Sequence, residues 1–325
     1  MSNMQQYHDL LETILSTGSR QANRTGVDAI SVPGAMMRFN LQEGFPAITT
    51  KKLAFGMVKA ELLGFFRGYQ SAQEFRDLGC KVWDQNANEN QAWLSNSNRK
   101  GTDDLGRIYG AQWTDWRDWR EVRSYEAKED LVRQGYSLLG MHANKGGQAD
   151  SYIVRKGINQ LEGALEQIIN NPTNRRIIIN SWRPDEFDQM ALPPCHVMAQ
   201  FLVNVEKGEL HCCMTQRSCD FFLGIPFNIA SYALFLEIMA RLSGLKAGTF
   251  THFCADSHVY VNHVDNVKEQ LSRKHFEAPR LYLGSAIKQV FSKEDIKGVF
   301  ERINLEDIAL VNYQSHDAIK ASMAV

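Results

Sequence analysis

The chain of 325 residues has no CxxC pair among its six cysteines, Cys80, Cys195, Cys212, Cys213, Cys219 and Cys254. That removes the usual spacing of zinc ribbons and thioredoxin-like dithiols. It has no GxGxxG run and no GxxxxGK[ST] run, so the glycine-rich phosphate cradles of the common nucleotide folds are missing. It has no excess of one charge, with 36 Lys and Arg against 37 Asp and Glu. Nonspecific binding to DNA by phosphate neutralisation is therefore not expected, and any basic site must be local, built from a few convergent arginines. It has no internal repeat and no low-complexity tract. The most apolar stretch, residues 227–245, is broken by Asn228, Glu237 and Arg241 and reads as a buried core helix rather than a membrane span. Residues 1–11 are polar and amphipathic and lack the apolar centre of a secretory signal, so a reduced, cytoplasmic protein is expected.

What is present is globular. Hydrophobic residues make up 44% and charged residues 22% of the chain, which suits a folded core without disulfides or structural metal. Met4, Tyr7, Leu10, Leu11, Ile14 and Leu15 recur at helical spacing, and residues 55–66 repeat that pattern with Glu61 set among apolar neighbours. Residues 29–40 read as extended. Residues 86–107, polar and Asn-rich, read as a surface loop, and residues 113–150 as an insertion or lid. A helix over residues 158–169 stops before Asn171-Pro172, because proline cannot continue it. Residues 176–182, 197–205, 209–216 and 249–260 read as strands, and short strands follow at 281–283 and 308–311. Strands mixed with long buried helices predict an α/β or α+β fold with one main sheet.

Several residues could carry chemistry. Pro193 and Pro194 stiffen the backbone before Cys195-His196, and a thiol held on a rigid turn beside cations is a good nucleophile; a buried structural cysteine is the plainer alternative. Arg217 and Ser218 offer a guanidinium fork and a hydroxyl to a phosphate. Asn228 carries one amide donor and one acceptor, the complement of a uracil edge; a satisfied polar turn at a strand end fits the same residues. Arg175 and Arg176, adjacent at a strand start, point to opposite faces and could reach a neighbouring subunit, or simply be solvated. Arg24 on a Gly-ended loop suits phosphate. His258 and Tyr260 share one strand face and can bond sugar hydroxyls, or be core residues with satisfied polar ends. Glu61, if buried, would have a raised pKa suited to proton transfer.

Taken together these segments closely resemble the thymidylate synthase family, nearly end to end. The resemblance rests on Arg24-Thr25-Gly26, Phe45-Pro46 with Thr49-Thr50-Lys51, Glu61-Leu62-Leu63, Trp83-Asp84, Tyr109-Gly110, Arg175-Arg176, Pro194-Cys195-His196, residues 216–232, Asp256 to Tyr260 with His263, and the tail 319–325. It implies a thymidylate synthase-like fold, one main mixed β-sheet flanked by helices, with sheets packed back to back in a homodimer. It implies reductive methylation of dUMP to dTMP with 5,10-methylenetetrahydrofolate as one-carbon and hydride donor, no metal, and no membrane or DNA partner. Cys195 would attack C6 of the pyrimidine, Glu61 would organise water and protons, and Tyr109 would lie near the C5 proton. Arg24, Gln216, Arg217, Ser218, Cys219, Asp220 and Asn228 would bind dUMP, with His258 and Tyr260 on the ribose. Arg175 and Arg176 would be donated across the dimer interface. Asp220, Trp83 and Ala324 would contact folate, and the apolar tail 323–325 would close over it.

Some positions depart from the family pattern. Ala54 stands where many members carry a folate-contacting His, and Gly64 and Asn86 stand where Trp is common. The chain is expected to be a single catalytic domain over 1–325, with surface insertions at 91–102 and 117–151 near the folate entrance. A dUMP hydroxymethylase of the same fold is the alternative activity. A thiol hydrolase using Cys195 and His196 is disfavoured, because neighbours along a strand point to opposite faces.

Overall fold

A computed structural model describes residues 4–23 and 25–322. Eleven strands are found there: β1 (Ser19–Gln21), β2 (Ala29–Asn40), β3 (Trp116–Val122), β4 (Ser137–Ala143), β5 (Ala149–Ile158), β6 (Ile178–Asn180), β7 (His196–Asn204), β8 (Glu209–Asp220), β9 (Lys246–Tyr260), β10 (Arg280–Leu283) and β11 (Ile308–Val311). The main sheet has six strands in the order β1-β2-β9-β8-β7-β6. Its pairs are antiparallel except β8 with β9. A parallel pair needs a crossover, and the helix Gly224–Ser243 supplies it. The sheet is therefore mixed and the fold α+β.

One face of this sheet is core. Met37, Phe39, Phe201, Cys212, Met214 and Phe250 are buried there against the central helix, whose Ile225, Ile229, Leu234 and Phe235 are also buried. That helix is long and apolar enough to cross a bilayer, yet it lies inside the protein. It ends at Gly244, whose φ of 73° is left-handed and costs a glycine nothing. Alternation along the strands puts Met36, Ile178, Leu202 and Phe253 on the opposite face, where all four are exposed.

Most of the predicted elements form, with informative differences. The helix at 158–169 is Gln160–Asn170, started by the Asn159 side chain accepting from the Leu161 and Glu162 N–H groups. The strand read over 176–182 shrinks to Ile178–Asn180, where the Asn180 carboxamide accepts the Trp182 N–H and turns the chain. The strand read to Gln216 runs on to Asp220, because the ladder pairs Ser218 with Asp256 and Asp220 with His258.

Two sequence expectations are corrected. The Asn-rich stretch 86–107 is at the surface for much of its length but is not a plain loop. It holds the short helices Asp84–Asn88 and Gln91–Leu94 and buries Trp93, whose indole donates to the Asp104 carbonyl at 2.6 Å. Asn90 bonds inward, donating to the Ala191 carbonyl at 2.9 Å. Trp113 likewise belongs to the main core and donates to Ser181 Oγ at 2.7 Å. Beyond it, β3, β5 and β4 form a separate antiparallel sheet with the helix Tyr125–Arg133, closed over Leu131, Tyr136 and Val154. Arg155 on β5 ties this sheet to Asp115.

Candidate active site

The C-terminal ends of β8 and β9 lie side by side and open into a cleft of about 1120 Å³. Glu61, Trp83, Tyr109, Cys195, Gln216, Arg217, Ser218, Asp220, Asn228, His258 and Tyr260 all line it. These residues span 200 positions in the chain. The parallel ladder gathers the nucleotide candidates: with Ser218 opposite Asp256 and Asp220 opposite His258, two short motifs become one surface.

Cys195 precedes β7 and is partly buried. Its backbone N–H donates to the Tyr109 hydroxyl at 2.6 Å. The Arg217 guanidinium donates to the carbonyls of Pro194 and Pro193 at 2.9 and 2.8 Å, while the Arg217 N–H donates to the Cys195 carbonyl at 2.9 Å. The prolines thus present two carbonyls that dock a cation next to the thiol. Burial, and then the neighbouring Cys195, hold the Tyr109 phenol well above its usual range, so it stays a neutral hydroxyl.

Glu61 lies in the helix Phe55–Phe66 and is buried. Trp83 Nε1 donates to its Oε1 at 3.0 Å. Burial outweighs that hydrogen bond and pushes the carboxyl up to about 8. An acid poised near neutrality is suited to moving protons. Gly64, one turn on, has a structural reason: a Cβ there would meet the Phe75 ring at 2.3 Å. Phe75 fills that space and lies 6.1 Å from the Trp83 ring. Gly64 does not line the cleft, whereas Ala54 and Asn86 do.

Asp220 Oδ1 accepts the N–H groups of Phe222 and Leu223 at 3.0 and 3.2 Å, turning the chain into the central helix. His258 Nδ1 lies 3.4 Å from Asp256 Oδ2. Burial opposes it, but this carboxylate holds the imidazole above its ordinary value. The Tyr260 ring meets His258 edge-on at 5.2 Å. Asn228 accepts from Gln216 Nε2 at 3.0 Å.

Other predicted residues lie elsewhere. Cys219 turns its side chain into the core, with Sγ toward the Gln216 carbonyl at 3.5 Å, and does not line the cleft. Arg175 and Arg176 are exposed and do not line it either. Arg24 and Ala324, like the rest of the tail 323–325, lie outside the described residues. Residues 313–317 pack against the segment around residues 48–52, and Ala318 and Ile319 reach the cleft. The Tyr313 hydroxyl donates to the Ile48 carbonyl at 2.8 Å, the His316 N–H donates to the Thr49 carbonyl at 2.9 Å, and Ile319 lines the cleft.

The sequence offers His196 only as a base partner for Cys195 and signals no role for Lys51 or Trp182, yet all three line the cleft. His196 is packed between the rings of Tyr109 and Tyr232, at 5.0 and 5.3 Å, and burial lowers it to about 3. An imidazole so hard to protonate is a poor base for Cys195. Lys51 is buried with its ammonium 3.7 Å from the Phe222 ring centre, and burial lowers it to about 7 against the pull of Asp220. Trp182 carries the Arg217 guanidinium 5.2 Å from its ring. Nothing in the local pattern signals their burial.

An α+β fold with a thiol, a buried carboxyl, an arginine and a carboxamide around one deep cleft defines an enzyme that handles a small, polar, covalently reactive substrate. The profile of the thymidylate synthase family matches residues 5–325. The chain is 43% identical over 330 residues to the thymidylate synthase of Pseudomonas syringae pathovar tomato, covering 99% of this chain and all of that protein. It is 43% identical over 326 residues to the thymidylate synthase of Bordetella parapertussis, with the same coverage. It is 38% identical over 320 residues to the bifunctional dihydrofolate reductase-thymidylate synthase of Paramecium tetraurelia, covering 98% of this chain and 61% of that protein. The chain belongs to the thymidylate synthase family.

Proposed function

We propose that this protein converts dUMP to dTMP, taking both the one-carbon unit and the hydride from 5,10-methylenetetrahydrofolate and releasing dihydrofolate. The observation that carries this reading is the convergence of Cys195, Tyr109, Glu61, Arg217 and Asn228 on one cleft. Arg217 and Ser218 take the phosphate, with Arg24 as a further ligand. His258 and Tyr260 take the ribose, and Asn228, supported by Gln216, takes the base edge. Cys195 Sγ adds to C6, which makes C5 a carbon nucleophile toward the one-carbon unit. Glu61, protonated near neutrality, supplies and orders protons at the pyrimidine. Loss of the C5 proton beside Tyr109 breaks the bond from the one-carbon unit to the folate nitrogen and releases tetrahydrofolate, leaving an exocyclic methylene; hydride transfer from that tetrahydrofolate to the methylene, with departure of Cys195 from C6, gives the methyl group and dihydrofolate. Trp83 and Asp220 form the folate wall, with Ala324 as a further folate contact.

The chain acts as one catalytic domain and as a homodimer. Support for the dimer comes from the exposed apolar face carrying Met36, Ile178, Leu202 and Phe253, and from Arg175 and Arg176, which lie outside their own cleft and are free to enter a partner's. No disulfide joins cysteines among the described residues, which suits a reducing cytoplasm.

The test is to incubate the protein with dUMP and methylenetetrahydrofolate and identify both products by mass. dTMP with equimolar dihydrofolate is expected, and Cys195→Ser is expected to abolish it while binding of dUMP persists. Hydroxymethyl-dUMP with tetrahydrofolate would overturn the reductive step.

A further inference from the structure

We infer that His252, a buried histidine that does not line the cleft, is a positioning residue that sets the base preference of the site by fixing the direction of two carboxamides. The inference rests on the dUMP reading above. His252 lies on β9, opposite Met214 of β8, and is fully buried. Its Nε2 is 2.9 Å from Gln216 Oε1. The other end of the same carboxamide makes two bonds: Gln216 Nε2 donates to the Ser218 carbonyl and to Asn228 Oδ1, both at 3.0 Å.

The directions follow from what each atom can do. A carbonyl only accepts, so the Ser218 carbonyl fixes the Gln216 nitrogen on its own side and the oxygen toward His252. That oxygen needs a donor, so His252 carries its proton on Nε2. Its Nδ1 has no nitrogen or oxygen partner among the described residues, and the Cys254 thiol, which hydrogen-bonds this ring, can donate to a bare lone pair there. The second Gln216 hydrogen then meets Asn228 Oδ1. Asn228, which also hydrogen-bonds His196, is held with its oxygen toward Gln216, and its amino group is set for a carbonyl acceptor. Uracil offers O4 to that amino group and N3–H to the remaining oxygen lone pair. Cytosine, with an amine at C4 and a bare N3, needs Asn228 turned over. Turning it would set its NH₂ against the Gln216 NH₂, and turning Gln216 in response would remove its oxygen from the His252 donor.

The test compares His252→Gln with His252→Met, similar in volume and differing in the donor. Equilibrium binding of dUMP and dCMP gives the discrimination ratio for each folded variant. His252→Gln is expected to keep the wild-type ratio within about threefold, and His252→Met to lower it about tenfold or more. Equal ratios in the two variants would overturn the relay, because ring packing and not the donor would then matter. Nitrogen-15 NMR of the wild-type protein gives an answer even where the variants do not fold: an Nε2–H tautomer for His252 is expected, and an Nδ1–H tautomer overturns the inference. Wild-type protein that binds neither nucleotide would sink the functional reading itself, a result distinct from a wild-type preference for dUMP that His252→Met leaves unmoved.

Discussion

The hydroxyl of Tyr109 accepts the backbone N–H of Cys195 at 2.6 Å, across 86 residues of chain. The phenol thereby holds the segment that presents the thiol. It is itself held by stacking on Phe65 at 5.0 Å and by contact with His196.

Tyr109→Phe removes the acceptor and leaves a partly buried N–H with no partner, a loss of about 1–3 kcal/mol. The expected result is a fall in kcat of about 10- to 100-fold, with dUMP affinity changed by less than about threefold. Steady-state kinetics beside equilibrium binding checks it. An equal loss in both would mean the tyrosine shapes the whole nucleotide site.

Glu61→Gln is expected to lower kcat by about 100-fold or more, the usual worth of a positioned acid or base. Its effect on stability has a sign. The carboxyl titrates at its ordinary value of 4.5 when unfolded and at about 8 when folded. The native state therefore binds the extra proton, and the stability this group contributes is full below pH 4.5 and lost as pH rises to 8. The variant lacks that loss. Thermal melts should show Glu61→Gln gaining on the wild type between pH 5 and pH 8.5, and parallel curves would contradict the buried acid.

Asn228→Asp replaces the donor that meets uracil O4 with an acceptor. Competition binding should move preference from dUMP toward dCMP by about tenfold or more. An unchanged preference would place base recognition elsewhere.

Arg175→Ala/Arg176→Ala and Cys195→Ser are each expected to be inactive alone. If the arginines act across an interface, subunit exchange should restore about a quarter of wild-type activity, since half the dimers are mixed and each has one intact site. No recovery after exchange proven by mass would confine the arginines to their own subunit.

Legibility followed range. Periodicities of 2.0 and 3.6 are local, so the helix at 158–169, the strands at 197–205 and 249–260 and the central helix were readable, as were the motifs around Cys195 and Arg217. The Asn-rich stretch misled because its polarity looked solvated. The Asn90 amide instead bonds the Ala191 carbonyl, and Trp93 anchors the stretch in the core.

The amino-acid sequence by itself determined the chemistry available: a thiol after two prolines, a carboxyl on an apolar helix face, an arginine and a carboxamide eleven residues apart. It also determined, through those motifs, the family. Only the tertiary structure decided the state of each group. Glu61 is an acid near neutrality because burial beside Trp83 outweighs a hydrogen bond, and His196 is neutral because two tyrosines enclose it. His252 orients Gln216 from 36 positions away. Desolvation and hydrogen-bond direction depend on neighbours that only the folded sheet assembles, and no local pattern carries them.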